Sequence, residues 1–321
     1  MAFAEQARAV RPRPTGRPGR SSTNAGRLRR AERLAGCGLV APTAALFVAF
    51  VGWPILFTLY LSLTSWSGFG SPEFNGFGNY TRMAGDPVAR GAFVLTVVYT
   101  IITTILQTFI PLVVAVLVNA IWRTLSVVVR TILFVPVLVS FVASGVLWQL
   151  IYDPNVGVLN RALKAVGLGS LTQAWLANPT TVVPAIMLVS LWGALGVNML
   201  IFLAGLQGVD PALYEASLVD GASRFQQFRF ITVPSLRVIT AIVLSLNLMN
   251  GFKVFDIIYV MTGGGPNHAS EVLGTYLYGL GFGYGASVPQ LGYASAFSVV
   301  TMALCIVAVL VQVWLSRRAS R

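Results

Sequence analysis

Six apolar runs, each long enough to cross the roughly 30 Å of hydrocarbon in a bilayer, leave this chain few folds. They fall near residues 38–62, 93–120, 128–152, 182–206, 237–262 and 292–316. Water is absent at that depth, so each segment must satisfy its own backbone hydrogen bonds, and runs of this length do so as helices. Charge is correspondingly scarce: 10% of the 321 residues are Asp, Glu, Lys or Arg, where a soluble domain carries about 25%. The chain is therefore read as an all-α integral membrane protein with six transmembrane helices.

The formal charge is +12, yet nine of the 22 basic residues lie in the first 37 positions and all nine are Arg. This tail, 1–37, is rich in Pro, Gly, Ser and Arg without an apolar period and is expected to be disordered. No basic aromatic surface accompanies it, and basic tails beside a first span follow from topology, so no nucleic-acid partner is inferred. The first apolar run is about 26 residues long, beyond the 7–15 of a signal peptide core, and reads as a retained span. Lys and Arg then set the direction of threading. Seventeen lie on the side of the N-terminus, including Arg123, Arg130, Arg224, Arg229, Arg237, Arg317, Arg318 and Arg321; four (Arg82, Arg90, Arg161 and Lys164) lie opposite. Both termini are expected in the cytoplasm of a multi-pass cell-membrane protein.

Much chemistry is excluded. The lysines are Lys164 and Lys253, neither in the Gly-x-x-x-x-Gly-Lys-Ser/Thr setting that cradles phosphates. Gly263-Gly264-Gly265-Pro266 lacks the lysine, the preceding strand and a cytoplasmic location, and reads as an extracellular turn. His268 is the single histidine, which excludes His-pair metal sites and argues against a hydrolytic triad. Cys37 and Cys305 form neither a disulfide framework nor a metal spacing and read as small hydrophobes. No catalytic residue, metal ligand or cofactor is assigned to this chain, which is not an enzyme by itself.

Between the fourth and fifth runs, residues 207–236 concentrate the charge that the rest avoids: Asp210, Glu215, Asp220, Arg224 and Arg229. Asp210-Pro211 is an N-cap followed by Pro at the first helical position. A helix over about 211–220 follows, ending at Gly221 in a left-handed stop. Ser223 with Gln226 matches a capping box and starts a second helix with an apolar stripe at Phe225, Phe228 and Ile231; Pro234 ends it. An amphipathic segment lying in the interface would share this pattern. A docking surface for a soluble cytoplasmic partner is the functional alternative.

Glu215-Ala216-Ser217, Asp220-Gly221-Ala222, then Phe228, Ile231 and Pro234 resemble the EAA loop of permease subunits of binding-protein-dependent ABC importers. Ser217 replaces the second Ala of the usual motif and Val233 replaces Leu. FDIIYVMTGGGPNHASEVLGTYLY (255–278), VRTILFVPVLVSFVASGVLWQLIYDPNVGVLN (129–160) and FNGFGNYTRM (74–83) are similar to segments of the carbohydrate-type (maltose/glycerol-phosphate) permeases. The resemblance covers nearly all of the chain after the tail. It implies a type I ABC importer permease fold over 38–321, with 207–236 as cytoplasmic coupling loop, in a bacterial plasma membrane. It further implies a second permease subunit, two ATP-binding subunits that hold ATP and Mg, and an extracellular solute-binding protein. Glu215, Ala216, Ser217, Asp220, Gly221 and Ala222 would then form the ATPase-subunit interface, with Glu215 the charged anchor and Gly221 allowing close backbone approach.

Polar residues inside spans are costly and point to function when they face the interior. Asn247, Asn250, Lys253 and Asp256 recur at three-residue steps, which places them on one broad helical face. Asn198 and Gln149 are further candidates, and Trp192, Phe252 and Phe255 offer aromatic faces to a sugar. Asn198, Asn247, Asn250, Lys253 and Asp256 are read either as a substrate path or as interhelical hydrogen-bonding groups, and Lys253 and Asp256 as a possible mutual pair. The function expected is inward translocation of a sugar or related polyol. The competing class, a stand-alone secondary transporter or channel, couples through intramembrane acids, and Asp256 is the sole acid well inside a run.

Overall fold

The computed structural model describes residues 36–283 and 288–319. The Arg-rich tail up to residue 35 lies outside them, while residues 36 and 37 already belong to the first helix. The chain divides into two units, one ending at Phe57 and one beginning at Thr58.

Helix α1 (Gly36–Ser62) is 27 residues long and almost wholly exposed. It contains a wider π-helical turn over Val48–Gly52 just before Trp53-Pro54. Pro54 has no N–H to give to the preceding turn, and a wider turn there absorbs the lost bond.

The second unit carries the polar features described below. A two-stranded hairpin, β1 (Thr64–Ser65) and β2 (Glu73–Phe74), sets Thr64 opposite Phe74 and Ser65 opposite Glu73. It leads into α2 (Gly78–Gly85) and the 34-residue α3 (Pro87–Ala120), about 51 Å at 1.5 Å per residue. Next come α4 (Arg123–Phe134), extended by a 3₁₀ turn over Val135–Leu138, α5 (Phe141–Tyr152) and a short amphipathic α6 (Val158–Ala165). Helix α7 (Val182–Leu206) crosses beside α3 and precedes α8 (Pro211–Val219) and α9 (Arg224–Gln227). The chain closes with α10 (Arg237–Phe252), α11 (Asp256–Thr262), α12 (Leu273–Phe282) and α13 (Leu291–Ala319).

Among the described residues four helices are single apolar spans: α1, α3, α7 and residues Leu291–Trp314 of α13. Two bent pairs bring the number to six if each counts as one span. Thr124–Leu138 and Phe141–Tyr152 meet at 102°. The chain straightens at Val139, after Pro136, and Ser140 recaps the next helix by accepting from the Ala143 N–H at 3.2 Å. Arg224–Ser235 and Arg237–Phe252 meet at 70°, just after Pro234. The run 237–262 is also interrupted. Helix α10 stops at Phe252, the Val254 N–H turns back to the Gly251 carbonyl at 3.2 Å, and α11 starts afresh at Asp256. Asn247 and Asn250 therefore sit on one helix, Lys253 at its end and Asp256 on the next, and the single helical face expected for the four does not exist.

Two dry clusters lie at different heights along the same helices. One joins Tyr99, Val182, Ile186, Val189, Ile257 and Met261. The other joins Leu112, Met199, Phe202, Leu203, Leu236 and Val243. Polar residues lie between the two clusters on each of these elements: Thr103 and Gln107 on α3, Ser190 and Asn198 on α7, and Asn247, Asn250, Lys253 and Asp256 along α10–α11.

At the end of the unit where α3 begins, Asp86 ties three helices together. It caps α3, accepting from the Val88 and Ala89 N–H groups at 2.9 and 3.1 Å. Its other oxygen accepts from the Tyr276 hydroxyl of α12 at 2.6 Å and the Tyr293 hydroxyl of α13 at 3.0 Å. Partial burial pushes the carboxyl pKa up, but the hydrogen bonds from Tyr276, Ala89, Tyr293 and Val88 outweigh it and hold the carboxyl below its ordinary 3.8. Because the folded-state value is depressed, the stability Asp86 supplies is present above the ordinary value and fades as pH falls through the lowered one. Asp86→Ala is expected to cost about 1 to 2 kcal/mol at neutral pH, the usual worth of a helix cap. Thermal melts in detergent check this: the gap between parent and variant should narrow as the pH is lowered below 3.8, and a gap independent of pH would refute it.

Candidate functional site

Two regions gather the residues that the sequence marks. The first is a cavity of about 700 Å³ between the dry clusters, bordered by α3, the bend between α4 and α5, α7, α10 and the start of α11. Asn198, Asn247, Asn250, Lys253 and Asp256 all line it, as does Phe255. The break after Phe252 makes this possible, because it turns Asp256 onto the cavity from a separate helix.

The five differ in what they do there. The Asn198 amide donates to the Gln107 carbonyl at 2.8 Å and to the Asn247 side-chain oxygen at 3.2 Å. Asn247 in turn donates to the Thr108 hydroxyl at 3.2 Å. Both asparagines are buried, at 5% and 4% exposure, and bind α3, α7 and α10 to one another at mid-span. Asn250, Lys253 and Asp256 are exposed on the cavity side. Lys253 and Asp256 form no ion pair with each other, because the non-helical step between them replaces the helical spacing that pairing assumed. Gln149 is a strut instead: it donates to the Val260 and Met261 carbonyls at 2.8 and 3.1 Å, outside the cavity lining. Trp192 and Phe252 also fall outside that lining.

Other lining residues carry no charge to mark them. Tyr99, Thr103 and Gln107 supply the α3 wall, and the Tyr99 hydroxyl meets Ser190 of α7 at 2.5 Å. Thr96, Thr100, Thr103 and Gln107 recur at four- and three-residue steps along α3 and are all buried. A polar stripe of that period within an apolar run is a legible sign of an interior face.

The second region is the connector. Asp210 caps α8 by accepting from the Ala212 N–H at 2.9 Å, and α8 ends at Gly221, whose φ of +74° suits glycine. Ser223 and Gln226 exchange the two bonds of a capping box, 2.7 and 3.3 Å, at the head of α9. The two short helices are clamped by side chains. Gln227 donates to Ser217 at 2.9 Å, and the Tyr214 and Thr232 hydroxyls meet at 2.9 Å. Ser217, the departure from the usual Ala, thus supplies the oxygen that holds α8 on α9. Glu215, Ala216, Asp220 and Gly221 are exposed beside Leu218 and Val219, at 65% and 89%. Ser217 and Ala222 are half-buried behind them. Of the apolar stripe expected to lie against the protein or the membrane surface, Phe225 is 73% exposed, and Phe228 and Ile231 are half-buried.

The described residues contain no cluster of three or more His, Cys, Asp or Glu suited to a metal. The family model for "Binding-protein-dependent transport system inner membrane component" matches residues 107–321. The probable ABC transporter permease protein YurN of Bacillus subtilis is 38% identical over 272 residues, 84% of this chain and 91% of that one. The lactose transport system permease protein LacF of Rhizobium radiobacter is 30% identical, covering 92% and 99%. The trehalose/maltose transport system permease protein MalF of Thermococcus litoralis is 31% identical, covering 87% and 92%. Among solved structures, a chain of a bacterial ABC transporter that imports the acidic polysaccharide alginate superposes with a TM-score of 0.79 at 25% identity, over 94% of this chain and 100% of that one.

The asparagine tie makes a stability prediction. Asn198→Ala strands the Asn247 oxygen and is expected to cost about 1 to 2 kcal/mol, whereas Asn250→Ala, at an exposed position, should stay within about 0.5 kcal/mol. Denaturant titration of the two variants in detergent measures the difference, and equal losses would count against the assignment.

Proposed function

This chain belongs to the family of binding-protein-dependent transport system inner membrane components, the permeases of ABC importers, and from that premise we propose its cargo, partners and working residues. The cargo is a sugar or related polyol, in line with relatives named for lactose and for trehalose/maltose. The observation that carries this reading is the convergence of Asn198, Asn247, Asn250, Lys253 and Asp256 on one cavity between two dry layers. A polyhydroxylated solute needs donors and acceptors for its hydroxyls, and amides, an ammonium and a carboxylate supply both kinds. Asn250, Lys253 and Asp256 contact the sugar in this scheme, while Asn198 and Asn247 hold the wall in register.

The connector faces the cytoplasm, as the Lys and Arg distribution requires, and both termini lie on that side. There α8 seats in one of two ATP-binding subunits, which hold ATP and Mg; a second permease chain closes the cavity, and an extracellular solute-binding protein delivers the sugar. Glu215, Ala216, Asp220 and Gly221 form the contact, with Ser217 and Ala222 behind it. The Ser217–Gln227 and Tyr214–Thr232 bonds let α8 and α9 move as one piece. The 70° bend at Pro234 carries that motion into α10, which bears Asn247 and Asn250. Nucleotide-driven closure of the ATP-binding pair then biases the helices between two packings, to the extent that those subunits bind one packing better than the other.

Glu215→Lys is expected to abolish sugar-stimulated ATP hydrolysis in the reconstituted importer while the binding protein still captures its sugar. Gly221→Asp should do the same, since φ of +74° strains any side chain there. Normal stimulated hydrolysis in both variants would remove α8 from the coupling route. Failure of any ATP-binding subunit to co-purify with the chain, co-expressed with its gene neighbours, would overturn the importer reading as a whole.

A further inference from the structure

Phe255 belongs to the cavity lining and also to a row of rings that leaves it. Helix α11 continues the row with Tyr259, stacked on Phe255 at 5.2 Å between centroids and 21° between planes. Helix α12 contributes Tyr278, at 5.3 Å from Phe255 and 4.8 Å from Tyr259, and then Phe282, at 4.7 Å from Tyr278. Phe255, just before α11, and Tyr259 within it stand four residues apart, as do Tyr278 and Phe282 on α12. Gly274, one turn before Tyr278, brings the two faces together. A Cβ there would stand 2.9 Å from the Val254 carbonyl oxygen and 3.2 Å from the Phe255 Cβ, so only a glycine lets α12 close on Phe255.

The row is most exposed at its Phe282 end. Phe255 and Tyr278 are half-buried, Tyr259 is 44% exposed and Phe282 is 73% exposed. The Phe282 end of α12 lies against the hairpin end of the unit, where Gln290 donates to the Leu280 carbonyl and Gly292 to that of Trp66, at 2.8 and 3.0 Å. With both termini inside, that is the extracellular end.

We propose that Phe282, Tyr278, Tyr259 and Phe255 form an entry track for saccharide rings, leading from the extracellular face to the cavity. The inference rests on the carbohydrate reading above and adds an approach route to it. A pyranose has apolar C–H faces and a polar rim. Ring faces with negative quadrupole attract those C–H groups, while tyrosine hydroxyls serve the rim. Continuity supports a sugar over a passive apolar contact, because the row ends on the side chain that stands beside Asn250, Lys253 and Asp256 in the polar cavity. Neighbouring rings lie 4.7–5.3 Å apart, so a sugar leaving one meets the next within the row.

The test uses the complete importer in liposomes with its ATP-binding subunits, second permease and binding protein. The probe is whichever of lactose, maltose, trehalose and diacetylchitobiose the unaltered importer takes up. Tyr259→Leu, Tyr278→Leu and Phe282→Leu keep apolar bulk but remove the ring. Each is expected to raise the half-saturating concentration of binding-protein-delivered sugar about fivefold to tenfold, the size of one lost aromatic contact, with the maximal uptake rate unchanged. Tyr259→Phe and Tyr278→Phe keep the ring face and lose the hydroxyl, so each should shift the half-saturating concentration less than its leucine counterpart, and Phe282→Tyr should behave as the parent. Parent-like uptake by all three leucine variants overturns the track, since bulk alone would then suffice. So does loss of the second permease from the leucine variants on purification, which would make the row a subunit contact. Uptake of none of the four sugars by the unaltered importer removes the carbohydrate reading itself, and the track with it.

Discussion

The amide tie between Asn198 and Asn247, anchored on the Gln107 carbonyl and the Thr108 hydroxyl, fixes how the rest of the second unit is arranged. Lipid and apolar side chains attract a helix about equally, so the hydrophobic effect that selects partners in water selects little in a bilayer. Apolar clusters above and below can slide past one another at small cost. A buried amide cannot, because stranding its donors in a low-dielectric interior is costly. Register between α3, α7 and α10 is therefore set at mid-span. The cavity lies beside the tie, and Asn250, Lys253 and Asp256 stay exposed on it.

Local signals were legible in the sequence, and tertiary ones were not. The connector's helix starts and stop are legible because their determinants act within four residues: the Asp210-Pro211 start, the Gly221 stop and the Ser223/Gln226 box. The apolar runs are legible for the same reason, since hydrocarbon imposes length and composition on each separately. The break at residues 253–255 is not marked by proline, and no period distinguishes a run that pauses from one that continues. The threonine stripe is a muted signal beside the charged residues, because a helical Thr bonds back to its own turn, as Thr96 does to Ala92 and Thr100 to Thr96, both at 2.7 Å. The aromatic row depends on α11 meeting α12, and the allowance for that contact is carried by Gly274, which has no side chain to announce it.

Ser217 shows how a departure from a familiar pattern acquires meaning only in three dimensions. As a letter it is a small residue in place of another. In the fold its hydroxyl receives the Gln227 amide and itself donates to the Tyr214 carbonyl at 2.7 Å. The connector is thereby braced from within, by bonds among its own two short helices, and its exposed residues are left to whatever docks on them.

The two apolar clusters bracket the cavity from either side. Lys253 and Asp256 share the space between them with opposite formal charges, so together they bring almost no net charge to it. A unit charge carried through a full membrane potential exchanges about 2.3 kcal/mol per 100 mV. In the proposed alternation between two packings, a neutral cargo would therefore cross this chain with little work done by the potential or against it.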